Sequence, residues 1–314
     1  MRVVSRLFLV VLLISALISA DVALSGQAKQ KRKPSNSQAG PRPDLENVSY
    51  GPNERLKLDL WKAKSDQPTP ILVFFHGGSG NKLQFRGNQI LAFCLDHGIS
   101  AAVVNYRTNR QHQVTFSVSA HDVARAIQFL RYHAAEYHLD PKRVAADGTS
   151  LGANTSTWLA YHDDLADPQN ADPVLRESTR LSFMITHVGQ TFIDMELHQR
   201  LYPYKLPAKL AADAEARAEE RSGAMAKEMS AIYHVTQDDP PIFMTYPFPL
   251  KPLPLPQDTP YDELVHNPAF GMLFKEKLDA VGIENYFYHG GNKPPPGAVE
   301  KFILAHFFPQ PAGN

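Results

Sequence analysis

The chain has 314 residues, 43% of them hydrophobic and 20% charged, which is enough apolar material to bury one large core within one domain. Thirty-two Lys and Arg residues balance thirty-two Asp and Glu residues, so the basic excess of a nucleic-acid or anionic-membrane binder is missing and a small-molecule partner is expected. The single cysteine, Cys94, excludes an intramolecular disulfide framework and reads as a small buried hydrophobe.

The N-terminus reads as an address. Arg2 and Arg6 precede the apolar run Leu7 to Ile18, which is too short to span a bilayer and is followed by the small residues Ser19, Ala20, Ala23 and Ser25. Residues 1–25 are expected to be a cleaved signal peptide, giving a secreted or periplasmic mature chain with no integral membrane span. Residues 26–44 are mostly Gln, Lys, Ser, Pro and Gly with little to bury, the composition of a disordered linker. The domain is expected over 45–310.

From there strands and helices alternate. Leu56 to Trp61 and the apolar runs Ile71 to Phe75 and Ala101 to Asn105 read as strands, with a helix over Gln84 to His97 between the last two. A helix over His121 to Tyr137 carries Val123, Ala126, Ile127 and Leu130 on one face. Further strands are expected at Val144 to Ala146, Leu181 to Thr186, Ile242 to Thr245 and Asn285 to Tyr288. Helices are expected at Ala153 to Tyr161, Pro268 to Val281 and Gly297 to Phe307. This alternation implies a mainly parallel, twisted sheet with helices on both faces. Two stretches break it. Ala208 to Ile232 predicts a helical insertion of one long helix or a pair, and Pro247 to Pro260, with six prolines, predicts an extended loop.

Two glycine-rich segments carry the chemistry. His76-Gly77-Gly78-Ser79-Gly80 follows the strand ending at Phe75, and Gly148-Thr149-Ser150-Leu151-Gly152 lies between a strand and a helix. The second presents Ser150 on a tight turn as a nucleophile. The N–H groups of Gly77, Gly78 and Leu151 can then face the negative charge of a tetrahedral intermediate as an oxyanion hole. His76 reads as an orienting residue of the glycine loop rather than a base.

Together with Asp59-Leu60-Trp61, Asn105-Tyr106-Arg107, Asp122 to Arg131 and Asp140 to Val144, these segments resemble the α/β-hydrolase fold. The likeness is to its branch of carboxylesterases and feruloyl-esterase-like lipases with an HGG oxyanion loop, and it covers about residues 45 to 160. Tyr161 to Asp164, Asp172 to Arg180, His266-Asn267-Pro268 and Phe270-Gly271 are similar to a planctomycete-type group of exported hydrolase-like proteins. The resemblance implies a serine hydrolase cleaving small-molecule carboxylic esters through an acyl-enzyme, with no cofactor and a triad in chain order serine, acid, histidine.

The last two members are displaced from the family pattern. Where the acid is expected, after Ile242 to Thr245, the chain has Tyr246-Pro247-Phe248-Pro249, and Asp258 and Asp262 are the first carboxylates downstream. Asp258 is the first choice and Asp262 the alternative. The late histidine loop reads His289-Gly290-Gly291-Asn292-Lys293, which makes His289 the first choice and His266 the second; His306 on the closing helix reads as structural. The irregular loops also admit a catalytically impaired binding protein of the same fold. No metal site is expected, because His162, Asp163 and Asp164 project in different directions and no second His/Asp cluster stands at ligand spacing.

Overall fold

The computed structural model describes residues 40–85 and 88–309; the expected signal peptide and most of the expected linker lie outside these described residues. The strands are β1 Leu45–Ser49, β2 Lys57–Trp61, β3 Thr69–Phe75, β4 Ser100–Val104, β5 Leu139–Thr149, β6 Met184–His187, β7 Ile242–Thr245 and β8 Asn285–Tyr288. They form one eight-stranded sheet in the order β1-β2-β4-β3-β5-β6-β7-β8. β1 pairs antiparallel with β2 and β2 with β4, whereas every other neighbouring pair is parallel.

The principal helices are α1 Gln89–Asp96, α2 Phe116–Tyr132, α3 Leu151–Tyr161, α4 Met195–Leu201, α5 Ala208–Ala216, α6 Gly223–Glu228, α7 Tyr261–Val265, α8 Ala269–Val281 and α9 Ala298–Phe307. None of the described helices is long and apolar enough to cross a membrane. Every residue of β3 is buried, and its pleat feeds two cores. Ile71, Val73 and Phe75 pack with α2, α3 and α8 on one face, while Leu72 and Phe74 pack with Cys94 of α1 and with Phe302, Ile303 and Phe307 of α9 on the other. This is the α/β-hydrolase arrangement expected from the motifs.

Boundaries moved where local capping outweighs periodicity. Thr115 accepts the Val118 N–H, so α2 starts at Phe116, earlier than expected, and it ends at Tyr132 before a separate turn over Ala134–Tyr137. The 208–232 stretch is mainly a pair, α5 and α6, parted over 217–222, with Gly223, whose φ is +61°, opening α6. β1 was not anticipated, since only Leu45 and Val48 of its five residues are even half-buried and its sequence carries little apolar alternation. A small third cluster of Tyr202, Leu210, Leu255 and Leu264 ties α5 and the end of α4 to the proline loop and α7.

One buried ion pair joins the antiparallel edge to the glycine loop. Asp59 on β2 is fully buried and pairs with Lys82, whose side chain is 5% exposed, in the turn directly after Gly80. The same carboxylate accepts the Asn47 N–H of β1 at 2.8 Å, and the Lys82 N–H donates to Asn105 Oδ1 at 2.8 Å. Removing the ammonium takes a buried counter-charge away from a buried carboxylate, at a cost of about 3–5 kcal/mol. Lys82→Met should therefore lower the unfolding free energy by about that amount in denaturant titration at pH 7, and Asp59→Asn added to it should restore part of the loss. An unchanged transition in Lys82→Met would contradict this role.

Candidate active site

β5 delivers Ser150 to the carboxyl edge of the sheet on a strained turn. Its φ of 52° and ψ of −117° are sparsely populated by a residue with a side chain, and the strain is held by contacts on both sides. The Ser150 N–H donates to the His187 carbonyl of β6 at 2.9 Å, and its own carbonyl accepts the Asn154 N–H at 2.8 Å. Two glycines are obligatory here. A Cβ on Gly152 would lie 2.2 Å from the Phe75 carbonyl oxygen, and one on Gly148 would lie 2.6 Å from the Ala153 nitrogen.

The glycine loop sits directly against this turn. A Cβ built on Gly77 would touch Ser150 Cβ at 3.5 Å, and one on Gly78 would touch the Leu151 side chain at 3.5 Å. The loop carbonyls are engaged from behind. Gly77 O accepts from His76 Nδ1 at 2.8 Å and from the Gly80 N–H at 2.9 Å. Gly78 O accepts from Thr108 Oγ1 at 2.9 Å, and Gly80 O from Arg55 and Gln111 at 3.1 and 3.0 Å. Leu151 opens α3, so its N–H lies outside the helical ladder. The structure thus brings Gly77, Gly78 and Leu151 around Ser150, in the grouping read from the sequence.

The histidine that meets Ser150 is His266. Its Nε2 lies 3.2 Å from Ser150 Oγ, and its Nδ1 lies 3.2 Å from Asp262 Oδ1. His266 is the residue that ends α7, where its N–H donates to the Asp262 carbonyl at 3.1 Å. The four-residue spacing therefore sets carboxylate and imidazole side by side on one helical turn. Asp262 is largely in solvent, with a side chain 76% exposed. Two residues not anticipated as part of the site hold α7. Asn154 of α3 accepts the Gln190 N–H at 2.6 Å, and Gln190 Nε2 donates to the Val265 carbonyl at 2.9 Å.

The first choices for acid and base are not brought to the serine. His289 Nδ1 accepts the N–H groups of Leu250 at 3.3 Å and Gly291 at 3.1 Å, so its ring pins the start of the proline loop to the turn after β8. Gly290 reinforces that seam by donating its N–H to the Phe248 carbonyl at 2.8 Å. Asp258 is exposed and bonds to neither histidine among the described residues. The alternatives take these places, His266 beside Ser150 and Asp262 beside His266. No short motif marks them; the signal available was a carboxylate and a histidine four residues apart.

A further polar group lines the strand ends beside the serine. His187 Nε2 is 3.4 Å from buried Asp147 and its Nδ1 is 2.6 Å from Thr245 Oγ1. Burial disfavours the charged ring, but the charge and hydrogen bond of Asp147 together outweigh it and raise the His187 pKa above its ordinary value. A cleft of about 710 Å³ lies elsewhere, lined by residues including Arg107, Asp122, Arg125 and Leu175 but not Ser150 or His266. Its arginines are already paired, Arg107 with Asp122 and Arg125 with Asp172, each at 2.7 Å.

Comparison with known proteins places the chain in sequence and in fold. The BD-FAE family profile matches residues 58–246, more than half of the chain. "Probable carboxylic ester hydrolase LipM" of Mycobacterium tuberculosis is 25% identical over 208 residues, 63% of this chain and 46% of that protein. The chain thus spans less than half the length of this relative. Among solved structures, the native thermophilic esterase Est2 of the planctomycete Thermogutta terrifontis superposes with a TM-score of 0.60 at 23% identity, covering 86% of this chain and 96% of the other. The acetyl ester-xyloside bifunctional hydrolase of Caldicellulosiruptor lactoaceticus does so with a TM-score of 0.60 at 20% identity, covering 85% and 93%. At these identities the two structures establish the shared fold.

His76 gives the site an acid limit. It is fully buried, stacked on Tyr106 with ring centroids 4.7 Å apart, and its Nε2 faces Arg55 at 3.4 Å. Burial pushes its pKa down to about 4, with the Arg55 charge adding to the effect and the Gly77 carbonyl opposing it. In the unfolded chain an imidazole titrates near 6.5, so the neutral ring's contribution is full above about pH 6.5 and is lost as pH falls toward 4. Lowering the pH from 7 to 4 should cost the wild type about 3 kcal/mol more unfolding free energy than His76→Gln, measured by denaturant titration at each pH. Equal acid losses in the two proteins would remove His76 as the cause.

Proposed function

The chain belongs to the BD-FAE family, and from that premise we propose that it is a serine hydrolase cleaving small-molecule carboxylic esters. The observation that carries this reading is the 3.2 Å approach of His266 Nε2 to Ser150 Oγ beside the glycine loop. Ser150 Oγ attacks the acyl carbon while its proton passes to His266 Nε2. The oxyanion that forms is met by the N–H groups of Leu151 and the glycine loop, where one such donor is typically worth about 3 kcal/mol in the transition state. As the tetrahedral species collapses, the C–O bond to the alcohol breaks and His266 gives its proton to the departing oxygen. A water molecule, deprotonated by the same imidazole, then attacks the acyl-enzyme and releases the acid.

Asp262 stands beside the imidazole Nδ1 and partly offsets the charge that the ring gains. Being mostly solvent-exposed, it contributes as a screened surface partner, worth about 1 kcal/mol or less. The binding-protein alternative depended on the lack of a base near the serine, and the position of His266 favours turnover instead. Export is proposed on the signal-like stretch Leu7 to Ile18, and is checked by whether the expressed chain leaves the cytoplasm with its first residues removed.

Turnover of a short acyl ester and labelling by a fluorophosphonate test the assignment. Ser150→Ala should abolish both, and His266→Ala should lower kcat at least about 1,000-fold. Asp262→Asn should lower kcat by about 10-fold or less. His289→Gln and Asp258→Asn should leave kcat within about threefold. A large loss of kcat in His289→Gln with an unaltered fold, and none in His266→Ala, would overturn the choice of base.

A further inference from the structure

Away from Ser150 the fold gathers three donor side chains that are distant in sequence. His162 follows the last residue of α3, Glu228 ends α6, and His234 follows the turn Ala231–Tyr233. One ligand-type atom from each lies within 4.8 Å of the others, and His162 Nε2 is 2.9 Å from Glu228 Oε1. The sequence argument against a metal concerned only His162, Asp163 and Asp164. It did not reach Glu228 and His234, which the insertion folds back against the end of α3.

The hydrogen bonds around the cluster favour a cation between these groups. Each imidazole has one nitrogen on a backbone carbonyl, His162 Nδ1 on Asp163 O at 2.9 Å and His234 Nε2 on Glu228 O at 2.7 Å. A ring nitrogen facing a carbonyl is the one that carries the proton, so the opposite nitrogen carries the lone pair. Imidazoles that bind metal are commonly oriented by such a donation. For His162 the lone-pair nitrogen then faces a carboxylate oxygen at 2.9 Å, an approach of two acceptors that requires a proton or a metal ion between them.

We infer that His162, Glu228 and His234 form a site for a divalent transition-metal ion of zinc-like preference. Two imidazoles and one carboxylate match that chemistry, whereas magnesium and calcium favour all-oxygen ligand sets. At a metal–nitrogen distance of about 2.0–2.1 Å, tetrahedral donors stand about 3.3 Å apart, so side-chain rotation closes the present spacing. Glu228 is 51% exposed, which leaves the ion open to water at a fourth position. The ion ties the insertion to α3, the helix that carries Ser150 at its other end. Trp158 backs the site, its ring centroid 4.5 Å from that of His162 and its Nε1–H donating to the Glu228 carbonyl at 2.8 Å.

Chelator-treated full-length protein titrated with zinc chloride in a calorimeter tests the site, and nickel chloride serves as a quencher of Trp158 emission. About one zinc per chain is expected, with the thermal midpoint raised by about 5 °C at saturating zinc. Nickel should quench part of the tryptophan emission. Glu228→Gln and His234→Ala should each weaken zinc at least about tenfold while leaving ester turnover and the metal-free midpoint near wild type. Absence of zinc binding in the wild type, or equal zinc affinity in both variants, would overturn the inference. A Trp158 emission that follows pH through the histidine range and ignores zinc would also overturn it, assigning the bridge to a proton.

Discussion

The site depends on backbone meeting backbone where β3, β5 and α3 converge. Gly152 lies so close to the Phe75 carbonyl that no side chain fits, and Gly148 is likewise too close to the first turn of α3 for one. This contact locks α3 onto the end of β3, and the glycine loop is the segment that leaves β3. Nucleophile and oxyanion donors are consequently fixed by one packing constraint and need no separate devices to bring them together. Hydrogen bonds from Thr108, Arg55 and Gln111 to the loop carbonyls then set which way the peptide groups turn.

That constraint is local and small-residue dependent, which is why it was legible in the sequence. Glycines at fixed offsets from a serine, between a strand and a helix, leave few conformations open. The buried parallel strands were equally legible, because β3 and β4 present apolar side chains to both faces and so read as unbroken runs. The acid and base were not. Asp262 lies in a five-residue helix that His266 caps, and the position of that helix is set by Leu264 packing with Tyr202, Leu210 and Leu255, contacts spread over some sixty residues of chain. No periodicity or short motif encodes that cluster. The glycine-rich turn after β8 points to His289, yet Gly290 there accommodates the close pass of the Phe248 segment, and the ring is used as an acceptor for backbone N–H groups.

The two stretches that broke the strand–helix rhythm therefore share one task. The proline loop has few N–H groups to satisfy and leaves β7 without regular structure, carrying Leu255 into the small cluster. Tyr202 at the end of α4 and Leu210 of the insertion meet it from the other side. Lys251 of the loop also pairs with Glu263 of α7 at 2.6 Å, so the helix is gripped by charge on one side and apolar contact on the other. The result is a platform for His266 reached before β8 rather than after it.

Such a platform changes what the acid has to do. A buried carboxylate can hold an imidazole by itself, but an exposed one at helical spacing is too strongly screened to impose an orientation. The orientation of His266 must therefore come from its backbone, and the backbone is fixed through the Val265 carbonyl, Gln190 and Asn154. Asn154 lies on the first turn of α3, four residues from Ser150. One helix thus positions the nucleophile directly and the base through two amide side chains, so a displacement of α3 moves both together and tends to preserve the distance between them.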